Sequence, residues 1–110
     1  MDVVDRLIEA PGEPTPPAAR AGIVTAADGV RLRWASFAAP DPRGTVILLQ
    51  GRAEYVERYF ETVRDLQARR LSVVTFDWRG QGGSQRLAPN PRKGHVADMA
   101  AYDFDLDAVL

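Results

Sequence analysis

At 110 residues, with 45% hydrophobic and 26% charged side chains, the chain is sized for one domain and has a globular rather than a disordered composition. Fourteen basic against fifteen acidic residues leave a formal charge of −1, so no net field draws it to nucleic acid or to an anionic membrane. Cysteine is absent and His95 is the one histidine, which excludes disulfides, thiolate catalysis and multi-histidine metal sites.

The N-terminal stretch MDVVDRLIEAPGE has neither the basic nor the long apolar region of a secretory signal. No apolar run approaches the roughly 18–20 residues of a membrane span. A cytoplasmic setting without a transmembrane segment is the expectation. Residues 11–19, PGEPTPPAA, contain four of the eight prolines and read as a stiff, extended arm. The division is therefore an arm over 1–20 and a folded unit over 21–110.

GIVTAADGVRLRWASF reads as a β-hairpin. Asp28-Gly29 predicts a two-residue turn, because a type I′ turn requires positive φ at both central positions. Val30, Leu32, Trp34 and Ser36 then alternate with Arg31, Arg33, Ala35 and Phe37, which predicts one half-exposed face. TVILLQ (45–50) is a continuous apolar run of strand length, the pattern of a strand buried on both faces. A helix is predicted from Tyr55 to Arg70, with Val56, Tyr59, Phe60, Val63 and Leu66 as one apolar stripe. Glu54–Arg58 and Asp65–Arg69 fall at i,i+4 on its outer face. No glycine closes this helix, so Arg70 must take the position beyond the cap.

LSVVTFDW is the next buried strand, followed by the glycine-rich RGQGGSQRLAPNPRKGH. Asp98 is the expected N-cap of a last helix carrying Met99, Tyr102, Leu106 and Val109, with Asp103, Asp105 and Asp107 on its solvated side. Hairpin, buried strand, helix, buried strand, helix is an α/β order with one strand–helix–strand crossover.

These residues resemble a known family. Gln50-Gly51-Arg52 at a strand end, then a helix, then Asp77-x-Arg79-Gly80-x-Gly82-x-Ser84 is similar to the opening of the α/β-hydrolase fold. KGHVADMAAYDFDLDAVL is similar to the lysophospholipase and monoacylglycerol lipase branch. The resemblance covers residues 21–110 and implies an N-terminal part of a serine ester hydrolase acting on a small ester or lysolipid, with no cofactor and no metal. It implies that Gly51 and Arg52 form an oxyanion-hole loop, the Arg52 N–H being the donor, with Gln50 and Arg52 beside the substrate. Asp77, Arg79, Gly80, Gly82, Ser84 and His95 then become structural residues. The family's frequent His-Gly is Gln50-Gly51 here. The resemblance also puts the 73–78 strand between the hairpin and the 45–50 strand. That leaves 45–50 as an apolar edge open to self-association.

The nucleophile elbow G-x-S-x-G does not occur in the 110 residues. Ser84 has arginine two positions after it and lies in a long loop. In the family order the catalytic histidine comes last, so His95 is not its match. The expectation is a segment without nucleophile, acid or catalytic histidine, inactive by itself. Other readings remain open: a nucleotide-binding α/β module, which the glycine-rich loop invites although Gln85 breaks G-x-G-x-x-G, a relative of the same fold with different chemistry, and a non-catalytic interaction domain.

Overall fold

The computed structural model describes residues 3–51, 54–85 and 101–109. It contains strands β1 (Ala19–Thr25), β2 (Arg31–Phe37), β3 (Gly44–Leu48) and β4 (Leu71–Phe76), and helices α1 (Phe60–Ala68) and α2 (Ala101–Val109). A 3₁₀ turn, Val56–Tyr59, leads into α1. The sheet order is β1-β2-β4-β3; β3 runs parallel to β4, and the other pairs are antiparallel. β4 thus separates the hairpin from β3, as the resemblance implied. Among the described residues nothing pairs with the far side of β3.

The hairpin turn differs from the expectation. Ala26 N–H donates to the Val30 carbonyl at 2.8 Å and Gly29 N–H to the Ala26 carbonyl at 2.9 Å. Only Gly29 has positive φ, 88°, and Asp28 does not. The loop is therefore three residues, Ala27 to Gly29, with the left-handed glycine closing a turn. Asp28 is pulled out of the two-residue pattern by a distant partner, Arg79.

α1 covers one face of the sheet. Phe60 and Val63 pack with Ala35, Phe37, Val56 and Val73, and Phe37 meets Phe60 edge-on at 6.1 Å. Each large side chain among them contributes about 1.5–3 kcal/mol over remaining exposed, so Phe60→Ala, which removes the largest buried side chain of α1, weakens this layer. The predicted stripe holds, with Gln67 also buried. Its amide donates to the Pro17 and Ala38 carbonyls. Arg70 follows the helix at φ 63°, the left-handed position a glycine usually takes.

On the opposite face, Ala26, Val30 and Leu32 pack with Val24 and with Ala108 and Val109 of α2. The half-exposed face of β2 is the Trp34/Ser36 side. Ala35 and Phe37 point into the main core, and Arg33, at the same alternation, is buried against Asp77 and Glu57. α2 reverses one expectation: Asp105 is fully buried, while Phe104 is exposed. The buried aspartate is explained by its partner. Arg79 donates to it from the backbone N–H at 2.9 Å and from Nε at 2.8 Å. Asp98 and Met99 lie outside the described residues.

Residues before β1 are docked onto the domain. Val4 N–H donates to the Gly83 carbonyl, Ile8 N–H to Glu57, and Leu7 packs on the main core.

Candidate functional site

β3 and β4 are parallel and end side by side, so the segments after Leu48 and after Phe76 leave the sheet at one rim. At that rim Gln50 is held from two directions. Its carbonyl accepts from the Trp78 indole N–H at 2.9 Å, and its side-chain Nε2 donates to Thr75 Oγ1 at 3.2 Å. The Thr75 hydroxyl in turn donates to the Leu48 carbonyl at 2.8 Å. Because the Thr75 hydrogen is spent on Leu48, its oxygen can only accept from Gln50. This fixes the amide orientation and leaves Gln50 Oε1 buried without a partner among the described residues. Trp78 is itself wedged edge-on between Phe76 and Tyr102.

The next residue is held as firmly. Gly51 N–H donates to Glu54 Oε1 at 2.6 Å, and the same oxygen accepts the Tyr59 hydroxyl at 2.6 Å. The Tyr59 and Gly51 hydrogen bonds lower the Glu54 carboxyl below its ordinary range, which keeps it a charged acceptor. Glu54 also lies 3.5 Å from Arg58 Nε, the expected i,i+4 pair, but its main work is on Gly51. A Cβ on Gly51 would stand 2.7 Å from Glu54 Oε1, so a side chain there displaces the clamp. Arg52 lies outside the described residues, as does His95.

The loop after β4 explains its own glycines. The Asp77 carboxylate accepts from Val56 N–H at 2.9 Å, Gly83 N–H at 2.8 Å and Arg33 Nε at 2.7 Å. Glu57 grips the other side of the Arg33 guanidinium, with both oxygens 2.6 Å from its terminal nitrogens. A Cβ on Gly82, where φ is 51°, would fall on the Asp77 carboxylate, and one on Gly83 would lie 2.7 Å from Arg33 Nε. The loop passes so close to this ion cluster that only backbone fits. Burial pushes the Asp77 carboxyl up, against the pull of Arg33 and the two amides. Burial also opposes ionisation of Glu57, yet Arg33 and the Ile8 amide together hold its carboxyl below the ordinary range.

Arg79 forms a second cluster, gripping Asp105 and, at 2.7 Å, Asp28 at the hairpin tip. Ser84 is buried; its hydroxyl donates to the Asp77 carbonyl at 2.6 Å and accepts from Arg33 N–H at 2.8 Å. An oxygen committed in both senses and sealed from solvent has no freedom to attack a substrate. Four of the loop amides are occupied as well. Gly80 donates to the Gln85 carbonyl, Gln81 to Trp78, Gly83 to Asp77 and Ser84 to Gln81. They do not form the open nest that cradles a phosphate. Among the described residues no cluster of His, Cys, Asp and Glu is arranged to hold a metal. No described helix is long and apolar enough to cross a membrane.

Arg33, Glu57, Glu54 and Tyr59 were not singled out from the sequence as site residues, and Asp105 was assigned to the solvated face. Glu54 and Tyr59 carried a usable signal, a carboxylate three residues after a strand-end glycine with a tyrosine five further on.

A mixed sheet in this order, with a crossover helix on one face and a glycine-rich turn after β4, is the opening portion of an α/β-hydrolase fold. Residues 40–110 match the family described as serine aminopeptidase, S33, and the chain belongs to that family. It is 36% identical to lysophospholipase L2 of Escherichia coli K12 over 84 residues, covering 76% of this chain and 25% of that protein. It is 31% identical to a monoacylglycerol lipase of Mycolicibacterium smegmatis over 70 residues, covering 64% of this chain and 23% of that protein. The crystal structure of a soluble variant of monoglyceride lipase from Saccharomyces cerevisiae, in complex with a substrate analogue, superposes with a TM-score of 0.62 at 26% identity. That match covers 76% of this chain and 26% of the other. The chain spans about a quarter of the length of the curated relatives it matches.

Proposed function

We propose that this chain supplies the oxyanion-hole loop of a serine ester hydrolase acting on a lysophospholipid, a monoacylglycerol or a similar small ester. The observation that carries the proposal is the convergence on Gln50 and Gly51. Trp78 holds the carbonyl, Thr75 the side chain and Glu54 the following amide. Ester hydrolysis passes through a tetrahedral oxyanion, and a donor fixed in advance at that charge contributes about 3–4 kcal/mol. Since the Gly51 N–H is spent on Glu54, the donor in this proposal is the Arg52 N–H, with Gly51 giving the substrate close access. Gln50 and the Arg52 side chain line the substrate. Asp77, Arg79, Gly80, Gly82, Ser84 and His95 serve as scaffold. The absence of G-x-S-x-G from the sequence supports a nucleophile supplied from outside these 110 residues. A cytoplasmic setting fits a chain with no cysteine. Among the described residues nothing pairs with the outer side of β3, which supports pairing with a second copy when the chain stands alone.

The test compares the 110-residue chain with the full-length gene product. The chain alone is expected to hydrolyse p-nitrophenyl esters no faster than buffer. In the full-length product, Gly51→Ala displaces the Glu54 clamp and with it shifts the Arg52 N–H, and is expected to lower kcat by up to about 10²–10³ with little change in KM, the size of one misplaced oxyanion donor. Unchanged kcat in Gly51→Ala, or turnover by the short chain that disappears in Ser84→Ala, overturns the proposal.

A further inference from the structure

The docked N-terminal segment builds more than a strap. Val4, Ile8 and Ala10 form one wall of a cavity of about 310 Å³, and Tyr55, Gly82 and Gly83 form the other. Arg33 and Glu57 line its buried end. Three polar ties hold the segment in register: Val4 N–H to the Gly83 carbonyl at 2.9 Å, Arg33 Nη1 to the Arg6 carbonyl at 2.9 Å, and Ile8 N–H to Glu57 Oε2 at 2.8 Å.

We infer that this cavity binds a single unbranched hydrocarbon chain, such as the alkyl or acyl tail of a one-chain lipid. Every N–H of the Arg33 guanidinium at its buried end is already bonded. Both Glu57 oxygens are bonded to Arg33, one of them also to Ile8 N–H, and the rest of the Arg33 guanidinium is on Asp77 and the Arg6 carbonyl. The Gly83 carbonyl is taken by Val4. Among the described residues an anionic or carbonyl ligand would find no open donor there and would lose its own hydration, whereas a hydrocarbon loses nothing. At its mouth, two large apolar side chains stay in water, Ile8 at 54% and Tyr55 at 44% exposure. A tail laid between them would cover both. The volume is at the lower end of the range for ligand sites, enough for one chain and not for two.

The slot stands apart from the ester-hydrolase proposal, because its test measures binding to the 110-residue chain and no turnover. The probe is 1-decanol, added below its solubility limit, displacing the neutral dye N-phenyl-1-naphthylamine, with amide NMR of the unmodified chain alongside. Saturable one-site displacement is expected, with shifts concentrated at Val4, Ile8, Tyr55 and Gly83. Ile8→Glu puts a charge at the mouth and is expected to weaken decanol at least tenfold, while Ile8→Leu retains it and both keep the parent urea midpoint. No saturable displacement, equal affinity in Ile8→Glu, or shifts at Val24, Trp34 and Ala108 on the opposite sheet face would overturn the inference. If Ile8→Glu lowers the urea midpoint, the NMR map of the parent decides alone.

Discussion

Asp77→Asn tests whether the buried ion cluster holds the rim together. Asp77 Oδ2 receives Arg33 Nε at 2.7 Å, Arg33 Nη2 at 2.5 Å and Gly83 N–H at 2.8 Å, while Oδ1 receives Val56 N–H at 2.9 Å. Asparagine keeps the shape but has one acceptor oxygen. If that oxygen stays on Val56, the new NH₂ faces three donors; if it turns to Arg33, the NH₂ faces Val56. Either way a buried donor meets a buried donor, and Arg33 keeps only Glu57 as a charged partner. Breaking one side of a buried pair costs about 3–5 kcal/mol. A domain of this size is typically stable by about 5–15 kcal/mol. With a urea dependence of about 1.5 kcal/mol per molar, the unfolding midpoint falls by about 2–3 M. The control is Asp41→Asn. Asp41 pairs with Arg70 at 3.0 Å on the surface, a contact worth about 0–1 kcal/mol. Equilibrium unfolding in urea, followed by tryptophan fluorescence, separates the two. Equal shifts in both variants, or a loss below about 1 kcal/mol in Asp77→Asn, would refute the role given to the cluster.

Gly82→Ala forces a side chain into a left-handed backbone position and onto the Asp77 carboxylate; a loss of about 2 kcal/mol or more is expected in the same urea assay, and a neutral substitution would count against the close approach. Glu57 has its carboxyl held below 4.5 in the folded state, so the folded form binds fewer protons than the unfolded one just below that pH. Its contribution is full above about pH 4.5 and fades as the pH falls through the folded value, so Glu57→Gln is expected to flatten the acid limb of the stability profile, and an unchanged slope would contradict the pairing with Arg33. Ile47 and Leu49 on the β3 side are about half exposed, so the isolated chain should associate with rising concentration in sedimentation experiments, and Ile47→Lys should restore a monomer. A parent chain that stays monomeric at all concentrations would show that the edge is protected.

The layout was legible because it rests on local patterns. TVILLQ and SVVTF are apolar runs of strand length, and the 56–66 stripe has helical spacing, so strand, helix and strand could be placed without knowing what they touch. The buried charges were not legible for the opposite reason. Arg33 and Asp77 are 44 residues apart, and Arg79 and Asp105 are 26 apart. Alternation along β2, or spacing along α2, assigns a charge to solvent unless the compensating charge is known. That is how Asp105 came to be expected on the solvated face. The two-residue turn failed similarly: the loop has three residues with positive φ at Gly29 alone, and its Asp28 pairs with the distant Arg79. The Glu54 clamp is local, but a helical i,i+4 partner in Arg58 offered a competing explanation for the same carboxylate.

The ion cluster and the candidate site are one mechanical unit. Asp77 bonds Val56 at the start of the turn that follows the Gly51 loop, and it bonds Gly83 in the glycine-rich loop. Through Arg33 it reaches Glu57 and the docked segment at Arg6 and Ile8. A carboxylate placed at the end of β4 therefore sets the distance between both rim loops and the N-terminal wall. Polar ties of this kind contribute less to net stability than an apolar core of equal size, but their geometry is narrow. An apolar replacement of the whole cluster could preserve folding and still let the rim drift. Catalytic donors lose their value over about 1 Å of drift, because a preorganised dipole must already stand where the charge will form. Under the proposed function Asp77 would act through position, without touching the substrate, and damage to the cluster would lower kcat more than it raises KM.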